Sequence, residues 1–263
     1  IIPSNNNSMD FAVPTEFVDL PTGGKYYPED HPLYGKDCIE IRHMTAKDED
    51  ILSSKTLLKK GLAIDRLLKN IMIDKNIDID SLFVADKTAL MLGARVTAYG
   101  AEYTAKVICP VCLEPNMEHS FDLNIKHVNP GGDPGDLDIE PAGPSSFVVT
   151  VPKMKATVEC CFLTGQHEKQ LIAQTARKKK NKLPESEQTS KLLLMIKSVN
   201  GNEDSSYIKR FINVLPASDA RYIRKAYETY APSINLKQEY ACPECGSQTV
   251  LEVPFTREFF WPE

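Results

Sequence analysis

Residues 107–117 read VICPVCLEPNM, and residues 240–250 read YACPECGSQTV. Each contains Cys-Pro-X-Cys, and residues 113–241 lie between the two. A Cys-x-x-Cys on a tight turn between strands sends both sulfurs to one side. The proline presets φ for that turn, and amides in the turn favour thiolates. A glycine after the second cysteine permits a left-handed residue. Gly246 meets that need, whereas Leu113 makes the first turn less ideal. Each unit offers two ligands and Zn²⁺ takes four in a tetrahedron, so the units are expected to meet. Cys109, Cys112, Cys242 and Cys245 then form one closed structural Zn²⁺ site, a split zinc ribbon, and residues 113–241 are an insertion clamped at its ends. A redox dithiol is a competing reading, but it calls for a strand-to-helix context that neither pair has. An iron–sulfur site also draws on four cysteines. A catalytic zinc does not fit, because four thiolates leave no open position.

Composition narrows the classes further. A chain of 263 residues makes one elaborated domain or two small ones. With 42% hydrophobic and 25% charged residues it can bury an ordinary core. No apolar run approaches the ~18 residues of a membrane span. The opening IIPSNNNSMDF lacks the basic and apolar parts of a signal peptide, and its first residue, Ile, suits a start inside a longer product. A net charge of −5 and a pI near 5.7 disfavour broad nucleic-acid binding. Seven cysteines in this length are too sparse for a secreted disulfide scaffold. A reducing, cytosolic origin is expected, with Cys38, Cys160 and Cys161 as buried apolar fillers. The five histidines share no metal-ligand spacing. Catalytic and phosphate-binding motifs are missing, so no small-molecule substrate is expected.

The pattern along the chain predicts an α+β fold. Residues 1–44 form an extended N-terminal arm and first strand, with turns at Pro21, Gly23, Gly24, Pro28 and Pro32. CIEIRHM alternates as a strand does. Residues 45–95 are a helical segment. Thr45 and Asp48 resemble a capping box, Leu62, Leu67, Leu68, Ile71 and Met72 recur at helical spacing, and Ser81–Leu92 suits a further helix with Asp86 a candidate break. From Arg95 the composition turns to Val, Thr and Tyr, predicting strands about a turn at Gly100. Residues 96–126 and 233–263 are the split ribbon and a C-terminal aromatic tail. Residues 127–145, dense in Pro, Gly and Asp, read as a loop or linker and the most protease-sensitive stretch. Residues 146–232 read as an inserted, mainly helical subdomain. Within it two strands break at Pro152–Lys153, Thr164 is placed to cap a helix, and Gly201 is placed as a helix C′ residue.

Three surface features carry two readings each. Tyr26 and Tyr27 sit among the arm's turns and anchor either a strap on the chain's own domain or a subunit contact. Phe259, Phe260 and Trp261 lie where a chain normally frays, so they dock on the chain's own core or on a neighbour. The run Arg177, Lys178, Lys179, Lys180 and Lys182 is a solvated helix end or a site for an acidic partner surface.

VDLPTGGKYYPEDHPLYGKDCIEIRHMTAKDEDIL, LLKKGLAIDRLLKNIMID and YTAKVICPVC resemble the baseplate hub proteins of T4-like contractile-tailed phages. So does the run from IKSVNGNEDSSYIKRFINVLPASDARYIRKAYETYAPSINL through CPECG to EVPFTREFFWP. The resemblance covers most of residues 16–262 and is weakest at 127–145. It implies a non-enzymatic protein made in the host cytoplasm and placed in the virion tail baseplate, with other baseplate and tail proteins as partners. An assembly chaperone of the hub, absent from the finished virion, is the first alternative. A zinc-ribbon nucleic-acid binder is the second.

Overall fold

The structure is a computed structural model, described for residues 12–115, 117–124, 128–181 and 187–260. His127, Lys182 and Trp261 lie outside the described residues.

β1 (Thr15–Asp19) pairs antiparallel with β2 (Cys38–Arg42), setting Val18 opposite Ile39. The alternation expected for CIEIR is present, with Ile39 and Ile41 buried. α1 (Ala46–Ser53), α2 (Lys55–Lys60) and α3 (Ala63–Ile71) follow, and α3 buries Leu67, Leu68 and Ile71 at the expected helical spacing. At the start of α1, Asp48 does the work usually given to Glu. Its carboxylate accepts the Thr45 N–H at 2.9 Å, both Arg42 Nη atoms at 2.6 and 2.9 Å, and Asn70 Nδ2 at 2.6 Å. Burial alone would raise the Asp48 carboxyl, but hydrogen bonds from Arg42, Thr45 and Asn70 hold it well below the usual carboxylate range.

A carboxyl depressed in the folded state adds stability above its unfolded pKa of ~3.9, and that stability is lost as pH falls toward the folded value. Asp48→Asn is therefore expected to lower stability at neutral pH. It should also flatten the acid limb below about pH 4. Denaturant midpoints against pH check this; parallel acid limbs for the two chains would contradict it.

α4 runs unbroken from Val84 to Tyr99, which corrects two expectations. Asp86 does not break the helix but sits in its first turn, and the segment Arg95–Tyr99 is helix, not strand. Arg95 is the reason. It is 2% exposed, and its guanidinium donates to the carbonyls of Gly100 at 2.8 Å and Glu102 at 3.2 Å, closing the helix end. That burial outweighs the β propensity of Val96 and Thr97. β3 (Glu102–Val107) and β4 (Met117–Asp122) then form a hairpin.

The stretch expected as a loop carries two strands, β5 (Val128–Asn129) and β6 (Ile139–Gly143). It is tied down by the Gly132 N–H donating to Tyr230 C=O at 2.9 Å and by Asn129 Nδ2 donating to Thr229 C=O at 3.1 Å. After β7 (Ser146–Thr150) and β8 (Thr157–Cys161) come α5 (Gly165–Lys180) and α6 (Glu187–Met195). Thr164 does cap α5, with His167 Nδ1 accepting the Thr164 N–H at 3.0 Å. β9 (Ile196–Val199) continues directly from α6, so Gly201 ends no helix. Gly201 turns a strand end at φ 76°, because Val199 and Ile196 pair with β8. α7 (Ser205–Val214), α8 (Ala217–Tyr230) and β10 (Ser233–Ile234) complete the insertion.

β6, β7, β8 and β9 make one antiparallel sheet in that order. Its face packs on α8, with Phe147 and Tyr230 rings 5.0 Å apart. β10 pairs with β5, Ser233 opposite Asn129, so the ends of the insertion meet. β11 (Lys237–Ala241) and β12 (Gln248–Glu252) form the last hairpin, and a 3-10 turn follows at Arg257–Phe259. The described residues thus make a mixed α/β chain of eight α-helices and small sheets. Its apolar core runs continuously from Val18 to Phe260. None of its described helices is long and apolar enough to cross a membrane.

Candidate metal centre

The β3–β4 and β11–β12 hairpins carry the two Cys-Pro-X-Cys turns at their tips, and the turns are built alike. The Cys109 N–H donates to Glu114 C=O at 3.1 Å and the Leu113 N–H to Cys109 C=O at 2.9 Å. In the second turn the Cys242 N–H donates to Ser247 C=O and the Gly246 N–H to Cys242 C=O, each at 2.9 Å. Leu113 stands at φ 61° where Gly246 stands at φ 69°. A left-handed conformation costs an L-residue roughly 1–2 kcal/mol. Leu113→Gly is therefore expected to stabilise the metal-loaded chain by about 1 kcal/mol. A lower melting temperature for that variant would contradict this.

The two turns face each other. All four sulfurs lie within 4.8 Å of one another. Cys109 Sγ is 3.8 Å from Cys245 Sγ, and Cys112 Sγ is 3.8 Å from Cys242 Sγ. Metal–sulfur bonds of ~2.3 Å in a tetrahedron put sulfurs about 3.8 Å apart; a disulfide would hold them at ~2.05 Å. All four cysteines are free, Cys109 and Cys242 buried, Cys112 and Cys245 exposed.

The surroundings suit anionic sulfur around a cation. The Cys112 amide draws the Cys109 thiol down to about 6, against desolvation and with help from Ser247. The Ser247 hydroxyl, 3.0 Å from Cys245 Sγ, lowers Cys245. Although the Glu114 amide favours its thiolate, desolvation and the other three sulfurs push Cys112 up to about 12. Four thiolates at this spacing need a cation between them. The Tyr240 hydroxyl is buried without a hydrogen-bond partner of ordinary geometry. It faces Cys242, and burial followed by that sulfur pushes it up to about 12. A polar hydrogen with no other acceptor, beside a ligand sulfur, is what a metal-bound thiolate would satisfy.

The aromatic residues singled out in the sequence lie elsewhere. Phe259 and Phe260 are 1% and 3% exposed within this chain's own core; Phe259 packs edge-on to Tyr103 of β3 at 5.2 Å, and Phe260 packs on Phe259 at 4.8 Å. Tyr103 Oη donates to Pro254 C=O at 3.0 Å, fixing the tail's approach. Trp261 is outside the described residues. Tyr26 packs edge-on against Phe162 at 5.0 Å. Tyr27 is 2% exposed, stacks on His31 at 4.3 Å and donates to Asp86 Oδ2 at 2.6 Å.

Asp86, which sequence reasoning took for a helix break, is the lock of the arm. It also accepts the Thr22 hydroxyl at 2.7 Å and the Thr22 N–H at 3.1 Å. Burial raises its carboxyl, and the bonds from Tyr27 and Thr22 offset part of that. A second lock joins the insertion to the helical segment. Lys87 lies 2.7 Å from Asp65 and 2.8 Å from Glu168, and Lys169 pairs with Asp65 and Asp80. No short-range pattern announces these pairs, whose members come from α3, α4, α5 and the segment before α4.

Fold and site together define a mixed α/β chain whose distant segments meet at a four-cysteine candidate metal centre. A family model described as T4 bacteriophage base plate protein matches residues 14–261, and the chain belongs to that family. Membership implies a tail baseplate location and other phage tail proteins as partners. No curated protein and no solved structure matches the chain.

Proposed function

We propose that the chain is a non-enzymatic structural component of the baseplate hub, held in shape by one Zn²⁺ on Cys109, Cys112, Cys242 and Cys245. The observation that carries this reading is the convergence of four sulfurs from the two ends of one long insertion, in a chain of a base plate family. The ribbon is then split by the insertion. Zn²⁺ is favoured over a cluster because sulfurs this close leave no room for an inorganic core. Four protein ligands also close the coordination sphere, which suits a structural role. The metal supplies a cross-link where β5–β10 pairing is only two residues long. The described part of residues 146–232 folds as a subdomain together with β6, and the arm, over its described residues 12–44, is secured through Asp86.

Mass spectrometry of purified virions and tails tests the functional part. The expected result is a fixed whole-number ratio to other baseplate proteins. Presence on assembly intermediates and absence from virions would instead support the hub chaperone reading. The nucleic-acid reading has little in its favour at the ribbon, where the segments 96–126 and 233–263 together hold nine Asp and Glu against four Lys and Arg.

A further inference from the structure

We propose that the first cysteine turn is an apolar peg that seats in a groove of another baseplate protein; this rests on the baseplate reading above. Five large hydrophobic residues among those described are more than 60% exposed, and three of them are Ile108 at 61%, Val111 at 62% and Leu113 at 71%. All three lie within one cysteine turn.

The second turn is an internal control. Matching hydrogen bonds align the two turns residue by residue, and Ala241, Glu244 and Gly246 occupy the equivalent positions. The same fold around the same four sulfurs is therefore made without any of the three apolar side chains. Leu113 is also kept at φ 61°, a conformation that glycine adopts at no steric cost. Neither local packing nor the turn accounts for an exposed leucine there, and strain held at an exposed position points to a contact made outside the chain.

Area and charge select the occupant. Burying one such side chain removes on the order of 100 Å² from water, so three at this exposure present about 200 Å². A stable interface takes about 800 Å² from each partner. Two copies meeting peg to peg would fall far short, whereas a groove enclosing the peg adds the walls of both hairpins. Exposed Glu114 and Glu244 flank the tip. The fitting partner is thus a different protein with an apolar groove rimmed by Lys or Arg.

The test transplants the second turn onto the first: Ile108→Ala, Val111→Glu and Leu113→Gly together, with Val111→Ser as a milder second variant. Each is supplied to a phage lacking its own copy. Zinc content and melting temperature should match the parent or exceed it. Incorporation into purified tails should fall at least tenfold for the triple variant and measurably for Val111→Ser. A photo-reactive residue at 111 should cross-link to one other tail protein, in a segment carrying apolar and basic residues. Triple-variant incorporation equal to the parent's overturns the peg, as do cross-links to a second copy or to nucleic acid. A parent chain missing from both tails and assembly intermediates overturns the baseplate reading, and the peg with it.

Discussion

Cys242→Ser is expected to abolish stoichiometric zinc and to loosen the base of the insertion without unfolding its interior. Structural zinc contributes about 10–16 kcal/mol in small zinc peptides. The loss here is smaller, because the β3–β4 and β11–β12 hairpins keep their own pairing. A loss of several kcal/mol lowers the melting temperature of a chain this size by on the order of 10 °C. The effect should be directional. With the sulfurs no longer joined, the two hairpins are still held side by side by the β5–β10 pairing, the bonds between Gln238 and Asp122, the His119–Tyr240 ring contact and the tail docked on Tyr103, but none of these lies at the tips where the cysteine turns meet. Protease cleavage should appear first near the cysteine turns, while α7 and α8 stay protected. Chelation of the parent should reproduce the pattern. Unchanged melting and unchanged cleavage in Cys242→Ser would show that the metal, if bound, carries no structural role.

Gly24→Ala is expected to cost about 2–5 kcal/mol, as a left-handed penalty and an overpacking penalty combined. Gly24 has φ +68°, and a Cβ there would stand 2.4 Å from the Lys36 carbonyl oxygen and 2.5 Å from Leu33 O and Lys36 N. All three are backbone atoms, so the strap itself must move. The strap carries Thr22 and Tyr27, whose hydroxyls end on Asp86. Displacing it leaves a buried carboxylate short of donors, which adds to the cost. Thermal melting checks the magnitude. A variant melting within a degree or two of the parent would mean that the arm is not locked through this turn.

The legible parts of this chain were those governed by short-range rules. Cys-Pro-X-Cys twice, the periodic leucines of α3, and the Thr45–Asp48 cap need only a few residues each to be read. Convergence of the four cysteines was inferable because a tetrahedral metal needs more ligands than one turn supplies. What failed depended on distant partners. Arg95 to Tyr99 is helical because a buried guanidinium closes the helix end, and nothing in RVTAY announces that burial. IKSV follows a helix without a break, yet it is a strand because β8 is there to pair with it. Asp86 could not be seen as a lock, since its donors, Thr22 and Tyr27, lie about 60 residues away in an arm legible only as turns. In the described C-terminal tail, the choice between internal and external docking turned on Tyr103, a residue the aromatic count did not single out.

X-ray absorption at the metal edge, with elemental analysis of natively purified protein, tests the central claim most directly. The expected result is one zinc per chain with four sulfur neighbours at about 2.3 Å and no nitrogen or oxygen in the first shell. Protein without stoichiometric metal, or with a mixed first shell, would contradict a clamp built from the two distant cysteine turns.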